Sequence, residues 1–476
     1  MKKTLLTSLL VAGAITLCAA EVSKPNVVII LTDDQGYADL GIQGIDPDVR
    51  TPQLDRLARE GVRFTRGYAT APQCGPSRAG LISCRHQNLF GIEENRSGPL
   101  PLSETSTALP ARLRDAGYVT GMVGKWSLAH DKQRGDPKRR YNVIEHLPHN
   151  FGFEEYWMGE MDWFYASHDL QNKPLENPPQ IVDDTRYRVA VQTEAALAFL
   201  KRREDDKRPF FLYLAYFAPH APMEAPPQYL ERLAHVKDND RRMGLASILA
   251  VDDGVGQIRK KLAEMGQAEN TLIFFMSDNG APLNRGAYIG SRNDPVVGEK
   301  GMLTDGGVRI PYLAAWPGKI PGGQVIDGMV STLDASATAL AVAKASVDDW
   351  VEGVNLMPLM MGEQKEPVHD ALFWRWRSQA VIRSGQWTMV MLGNERRYLF
   401  DNRELGSETA AQNRIKEFPE IAANLEQKLR KRSDAWQDKG LIEKAEPSDR
   451  NVFDIHIERT KPGTHPMQTP WTKAKQ

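Results

Sequence analysis

Four continuous apolar runs constrain this chain more than any other feature: Val27-Val28-Ile29-Ile30-Leu31, Tyr118 to Val123, Phe210 to Phe217 and Thr271 to Met276. None alternates polar with apolar residues, so each reads as a strand covered on both faces, as in a parallel sheet lying between helices. Amphipathic helical stretches separate the runs, and no internal repeat interrupts them. This is the pattern of an α/β fold built on one large, mixed, mostly parallel sheet sandwiched by helices. Each run also ends in chemistry: Thr32-Asp33-Asp34, Gly124-Lys125-Trp126, Ala218-Pro219-His220 and Ser277-Asp278-Asn279-Gly280. Ligands of open parallel sheets bind outside the carboxyl ends of the strands, so four such endings describe one convergent site. Taken singly, each has an ordinary alternative. Asp and Asn also favour turns, and a lone His after a strand is commonly a satisfied polar residue.

Together Asp33, Asp34, Asp278 and Asn279 form an all-oxygen set suited to a hard divalent cation, calcium before magnesium because no nucleotide phosphate is implied. No His/Cys cluster has zinc spacing. Three carboxylates held together would repel one another strongly without a cation. Lys300 sits in Gly298-Glu299-Lys300-Gly301-Met302, followed by Thr304-Asp305-Gly306-Gly307-Val308-Arg309-Ile310-Pro311. This glycine-rich segment reads as a flexible loop leading to a strand at Ile310 to Ala315, and a solvated lysine is its ordinary alternative.

Cys74-Gly75-Pro76-Ser77-Arg78 opens an apolar helical pattern. Pro is favoured in the first helical turn, and the unpaired N–H groups and positive dipole end there suit an anion. Arg78 adds a planar fork that matches sulfate or phosphate oxygens. A buried structural cysteine is the competing reading. Disulfide pairing with Cys84 is excluded if both lie on one helix, because ten residues of helical rise separate their Cα atoms by roughly 15 Å.

Residues Met1 to Ala20 read as an export signal: Lys2 and Lys3, a short apolar core from Leu5 to Leu17, and Cys18-Ala19-Ala20 as a small-residue cleavage site. Cleavage after Ala20 places the mature chain in the periplasm or outside the cell. No run is long enough to span a bilayer. A formal net charge of −1 gives no global basic field for nucleic acid.

These motifs resemble the formylglycine-dependent sulfatases of the alkaline phosphatase superfamily. The likeness runs in order from about Asn26 to Gly318, with a weaker match at Tyr398-Leu399-Phe400-Asp401. Cys-x-Pro-Ser-Arg-Ala is its most specific element. The resemblance implies that a maturing (formylglycine-generating) enzyme oxidises Cys74 to formylglycine, whose hydrate is the nucleophile. It implies a calcium ion held by Asp33, Asp34, Asp278 and Asn279, with residue 74 also near the metal. Arg78 would orient the hydrated aldehyde, Lys125 and Lys300 would neutralise sulfate oxygens, and His220 would protonate the leaving oxygen. One departure stands out. The family usually reads Gly-Lys-Trp-His-Leu-Gly, whereas this chain reads Gly124-Lys125-Trp126-Ser127-Leu128-Ala129-His130. Either His130 or His86 replaces the missing imidazole, or turnover relies on Asp278 and the metal.

The expected organisation is a signal peptide at 1–20, a catalytic domain at 23–362, a small antiparallel-sheet α+β subdomain with a helix at 367–445, and an extended tail at 446–476. The expected substrate is a sulfated poly- or oligosaccharide. Arg134, Lys138, Arg139, Arg140, His146 and His149 are candidates for an anionic sugar subsite, and Trp163, Trp374 and Trp376 for sugar stacking. Solvated charges and core aromatics are the plainer readings of both sets. Two other functions fit the same motifs: a phosphomonoester or phosphonate hydrolase, and a sugar-binding relative impaired by Ser127.

Overall fold

The computed structural model of the protein describes residues 24–95, 97–129, 144–284, 286–436 and 441–459. The signal segment, His130, Arg134, Lys138, Arg139 and Arg140 lie outside the described residues. Eleven strands join one large sheet: β1 (Asn26–Asp33), β2 (Val62–Tyr68), β3 (Val119–Gly124), β4 (Glu155–Met158), β5 (Trp163–Ala166), β6 (Gln180–Asp183), β7 (Phe210–Pro219), β8 (Thr271–Ser277), β9 (Arg309–Ile310), β10 (Tyr312–Ala315) and β11 (Gln324–Ser331). Their order is β11-β2-β10-β8-β1-β7-β3-β4-β5-β6, with β9 paired to β2. The four apolar runs are the neighbours β8-β1-β7-β3, all parallel. β10 on one side and β5 and β6 on the other run antiparallel to their neighbours, so the sheet is parallel at its centre and mixed toward its edges.

Burial on both faces explains the unbroken apolar runs. Val27, Ile29 and Leu31 pack into one core while Val28 and Ile30 pack into the other. The helices of the large unit are α1 (Pro52–Arg59), α2 (Cys74–Ser83), α3 (Leu109–Asp115), α4 (Arg188–Lys201), α5 (Pro227–Arg232), α6 (Asn239–Glu264), α7 (Asp305–Val308), α8 (Thr332–Val342) and α9 (Met357–Met360). All ten residues of α2 are buried, which accounts for its small, uncharged sequence apart from Arg78. Cys74 and Cys84 are both free thiols, one at the first residue of α2 and the other just past its end.

A second, four-stranded antiparallel sheet follows in simple order: β12 (Leu372–Trp376), β13 (Gln379–Ser384), β14 (Trp387–Leu392) and β15 (Arg396–Asp401). One face carries α10 (Pro419–Asp434) through Leu425 and Leu429. The other joins Tyr68, Met302, Leu303 and Val308 of the large unit in a shared apolar core. The tail expected to be extended contains a helix instead, α11 (Pro447–His456). Phe453, Ile457 and Ala445 enter the shared core, and that burial outweighs the Pro and charge content that reads as extended chain. Among the described residues no helix is long and apolar enough to cross a membrane.

Candidate active site

The loops after β1 and β8 and the start of α2 meet at the carboxyl edge of the sheet. Asp33 ends β1, and Asp34 follows with a left-handed backbone, φ 67°. Such a conformation costs a non-glycine residue roughly 1–3 kcal/mol and persists only where the surroundings hold it. Here the Asp34 N–H donates to Asp278 Oδ1 at 3.1 Å, and its carboxylate accepts from Asn279 Nδ2 at 2.6 Å. Lys300 Nζ lies 2.6 Å from Asp34 Oδ1 and 2.8 Å from Oδ2. Lys125, at the end of β3, pairs with Asp33 Oδ2. Arg78 donates Nε and Nη2 to Asp278 Oδ2 at 2.9 and 2.7 Å and Nη1 to the Lys125 carbonyl at 2.9 Å. All nine predicted residues, Asp33, Asp34, Cys74, Arg78, Lys125, His220, Asp278, Asn279 and Lys300, therefore fall into one cluster.

Three carboxylates face three cations, so the repulsion expected among the acids is already offset by Lys125, Lys300 and Arg78. Arg78 is correspondingly committed. Its fork grips Asp278 rather than standing open to an anion. Burial raises the Asp33 carboxyl, but Lys125, His220, Arg78 and Lys300 outweigh it and hold the group well below the usual carboxylate range. Asp278 moves the other way, raised by burial and then by the neighbouring Asp33 charge.

Two oxygens remain unused. Asp33 Oδ1 and Asn279 Oδ1 are buried without a hydrogen-bond partner among the described residues. Ligand atoms of Asp33, Cys74 and Asp278 lie within 4.8 Å of one another, as do those of Asp33, Asp34 and His220. Unpartnered buried acceptors are costly unless something fills the gap between them. A carboxylate oxygen and an amide oxygen left unpartnered at this sheet edge are the donor types a hard cation takes.

Burial pushes the Cys74 thiol up, so as a cysteine it stays protonated and poorly nucleophilic at neutral pH. At the rim, His220 donates Nδ1–H to the Ala221 carbonyl at 2.7 Å and stacks on Phe217 at 4.9 Å. A carbonyl can only accept, so that bond fixes the proton on Nδ1 and turns Nε2 toward Asp34, 3.7 Å away.

The loop expected to be flexible around Lys300 is instead interlocked. Lys300 N donates to the Ala281 carbonyl at 3.0 Å, Gly301 N to Pro72 at 2.9 Å and Gly280 N to Gly307 at 3.0 Å. A Cβ on Gly307 would lie 1.9 Å from the Met302 carbonyl, so this glycine serves close packing, not freedom. Glu299, beside the lysine, accepts from Leu283 N and Asn284 N at 2.6 and 2.7 Å and meets His456 Nε2 at 3.1 Å.

Several sequence candidates fall elsewhere. His86 lies beyond the far end of α2 from Cys74, stacked on Trp436 at 4.3 Å, and burial lowers its pKa to about 4. It cannot stand in for the missing imidazole. Trp374 and Trp376 are core residues, the former donating Nε1 to the Ala69 carbonyl at 2.8 Å. Trp163 sits edge-on to Tyr165. His146 pairs through Nδ1 with the Leu100 carbonyl, and His149 stacks on Tyr156. The sequence reading missed Asn95, whose Oδ1 lies 3.5 Å from Cys74 Sγ and 2.8 Å from Gly75 N. No motif marks it, since only tertiary folding carries that loop to the start of α2.

The family model Sulfatase matches residues 25–345, and that for the N-sulphoglucosamine sulphohydrolase C-terminal region matches 298–434. The N-acetylgalactosamine-6-sulfatase of Canis lupus familiaris is 33% identical over 387 residues, covering 75% of this chain and 70% of its own. The crystal structure of Ps i-CgsB superposes with a TM-score of 0.76 at 29% identity, covering 90% of this chain and 97% of that one. A phosphonate monoester hydrolase from Silicibacter pomeroyi shares the fold at TM-score 0.66 and 19% identity, over 87% of this chain and 96% of its own. A match across most of the large unit, relatives at one-third identity and a sheet edge with this order of residues lead to one assignment: the chain belongs to the type I sulfatase family and is a sulfuric ester hydrolase.

Proposed function

We propose that the protein, exported to the periplasm or beyond, hydrolyses a sulfate ester of a sulfated poly- or oligosaccharide at residue 74, matured to formylglycine, beside a calcium ion. The observation that carries this reading is the approach of Cys74 Sγ to the Asp33 and Asp278 carboxylates, all within 4.8 Å, at the first residue of a buried helix. The choice of carbohydrate rests on relatives. N-acetylgalactosamine-6-sulfatases are among them, and a structure 28% identical, Ps i-CgsB with k-i-k-neocarrahexaose, covers 94% of this chain with a TM-score of 0.75.

When present, the hydrated aldehyde supplies a hydroxyl nucleophile with a second hydroxyl whose collapse frees sulfate, and the ion draws charge from a sulfate oxygen. Asp33, Asp34, Asp278 and Asn279 are the residues to hold the ion, two of them through the unpartnered oxygens. Arg78 orients Asp278 and fixes the Lys125 backbone. Lys125 and Lys300, now paired with Asp33 and Asp34, are the cations that would neutralise the sulfate oxygens, where charge grows in the transition state, once a bound ion satisfied those carboxylates. His220 takes a proton on Nε2 and passes it to the leaving sugar oxygen; the bond from Nδ1–H to Ala221 is made in both states.

The reading is tested by sulfate release from a panel of sulfated glycans, with phosphate and phosphonate monoesters as competitors, on protein co-expressed with a maturing enzyme. We expect sulfate release, loss of it in Cys74→Ala by ~10,000-fold or more, and a residue-74 peptide with the mass of formylglycine. Unmodified cysteine in fully active protein would overturn the nucleophile. Faster turnover of phosphonate monoesters would overturn the substrate.

A further inference from the structure

The space beside the nucleophile is shaped by a pair that no motif predicts. Gly75 follows the reactive position, and a Cβ there would lie 2.9 Å from Asn95 Oδ1. That oxygen therefore occupies the side-chain space the glycine leaves empty. It accepts from the Gly75 N–H at 2.8 Å, which settles the amide orientation: the face toward α2 is the oxygen, an acceptor. The residue-74 side chain meets the same oxygen at 3.5 Å and can only donate to it.

Asn95 is exposed, yet its loop is anchored on both sides. Asn95 N donates to Gln73 Oε1 at 3.1 Å, and Ser97 Oγ accepts from Glu93 N and Glu94 N at 3.1 and 2.9 Å. Glu93 pairs with Arg375 at 2.6 Å and Glu94 with Arg377 at 3.6 Å, so β12 of the small sheet and the residue after it reach across to hold the loop. The neighbouring Ser127, where the family carries an imidazole, has a left-handed backbone, φ 62°, and its carbonyl lies 3.7 Å from the Gly75 Cβ position. The amide oxygen and the Ser127 backbone thus both border the space beside Gly75.

We propose that Asn95 is the positioning residue of the nucleophile in this chain: its Oδ1 accepts a hydrogen bond from one hydroxyl of the hydrated residue 74 and so leaves the other turned to Asp33 and Asp278 for attack. The proposal rests on the formylglycine reading above. It concerns orientation only; the amide holds that proton by a hydrogen bond and does not remove it.

Two measurements test it. In protein produced without a maturing enzyme, Asn95→Ala should raise the rate of Cys74 alkylation by iodoacetamide at least ~3-fold, because the thiol loses its acceptor and cover. An unchanged rate would overturn the contact, whatever residue 74 becomes later. In matured protein with 4-nitrophenyl sulfate, Asn95→Ala and Asn95→Leu should lower kcat ~10- to ~100-fold with KM little changed, the scale expected for a misplaced reacting group. Asn95→Asp, which keeps an acceptor oxygen, should hold kcat within ~3-fold while its added charge raises KM against an anionic substrate. Gly75→Ala, which displaces Asn95, should match Asn95→Ala. Unchanged kcat in Asn95→Ala, or equal losses in Asn95→Asp and Asn95→Leu, would overturn the role. Mass spectrometry of residue 74 in every variant separates these outcomes from failure of the formylglycine reading itself.

Discussion

Two buried clusters of acids and bases in this protein look alike and differ in one respect. At the sheet edge, Asp33, Asp34 and Asp278 face Arg78, Lys125 and Lys300. At the seam with the small sheet, Asp305 and Glu408 face Arg309 and Arg383. Every carboxylate oxygen at the seam is taken: Arg383 Nε and Arg309 Nη1 donate to the two Asp305 oxygens at 3.0 and 2.9 Å, and Arg383 Nη2 and Asp305 N donate to the two Glu408 oxygens at 3.0 and 2.5 Å. Its unpaired group is a donor, Arg383 Nη1, on a guanidinium lying 5.1 Å from the Tyr68 ring and 4.9 Å from the Trp374 ring. At the sheet edge the unpaired groups are acceptors, Asp33 Oδ1 and Asn279 Oδ1. A cluster with saturated acceptors holds two units together. One with acceptors left over has room for a cation.

The contrast is open to attack from both sides. Arg383→Met removes the guanidinium shared by two buried carboxylates, leaving Asp305 to Arg309 alone and Glu408 to the Asp305 N–H alone, and should cost ~3–5 kcal/mol of stability, measured by denaturant unfolding, while calcium affinity stays unchanged. A calcium defect in that variant would break the distinction. Lys300→Met should show the reverse in calcium-loaded protein, where the cation would neutralise Asp34 in the lysine's place, lowering kcat/KM ~100-fold or more with little change in melting temperature. Calcium at 100 times its dissociation constant should stabilise the chelator-treated wild type by ~2.7 kcal/mol. Asp33→Asn should lose most of that increment and Arg383→Met should keep it; equal increments in all three proteins would place the ion elsewhere.

The effect that is smallest per step, counted for each pH unit, concerns a third buried acid. Asp252 on α6 accepts from the backbone N–H groups of Gln53 and Leu54 at the start of α1. Burial pushes its pKa up to about 7, against those backbone bonds. Between the ordinary value of 3.8 and about 7 the folded protein keeps a proton that the unfolded chain releases. Its contribution to stability therefore falls as pH rises through that window, by at most ~1.4 kcal/mol per pH unit. Asp252→Asn should flatten the pH dependence of melting between pH 4 and pH 7 by that amount. An unchanged slope would show that the backbone bonds, not burial, set the titration.

Much of the site was legible in the residues because parallel strands buried on both faces leave a strong signal and deliver their endings to one edge. β1, β3, β7 and β8 lie where the apolar runs predict, and the nine candidate residues converge. The errors share a cause. Trp374 and Trp376 suit either a sugar or a core, the core being the plainer reading, and His86 suits a substitute imidazole; packing alone buries all three away from such roles. The glycines around Lys300 read as freedom, yet Gly307 is there because the Met302 carbonyl presses against it. The helix at Pro447–His456 forms because Phe453 and Ile457 find a core supplied by residues far away in the chain.

By itself, then, the sequence determined the sheet's centre, the chemical character of its edge and the residue types that meet there, since burial and hydrogen-bonding needs are written locally in each run. Only the tertiary structure decided which acceptors stay unpartnered, that Arg78 is committed to Asp278, and that Asn95 fills the space beside Gly75. Those are relations between segments, set by how close the folded chain brings atoms that no spacing in the sequence connects.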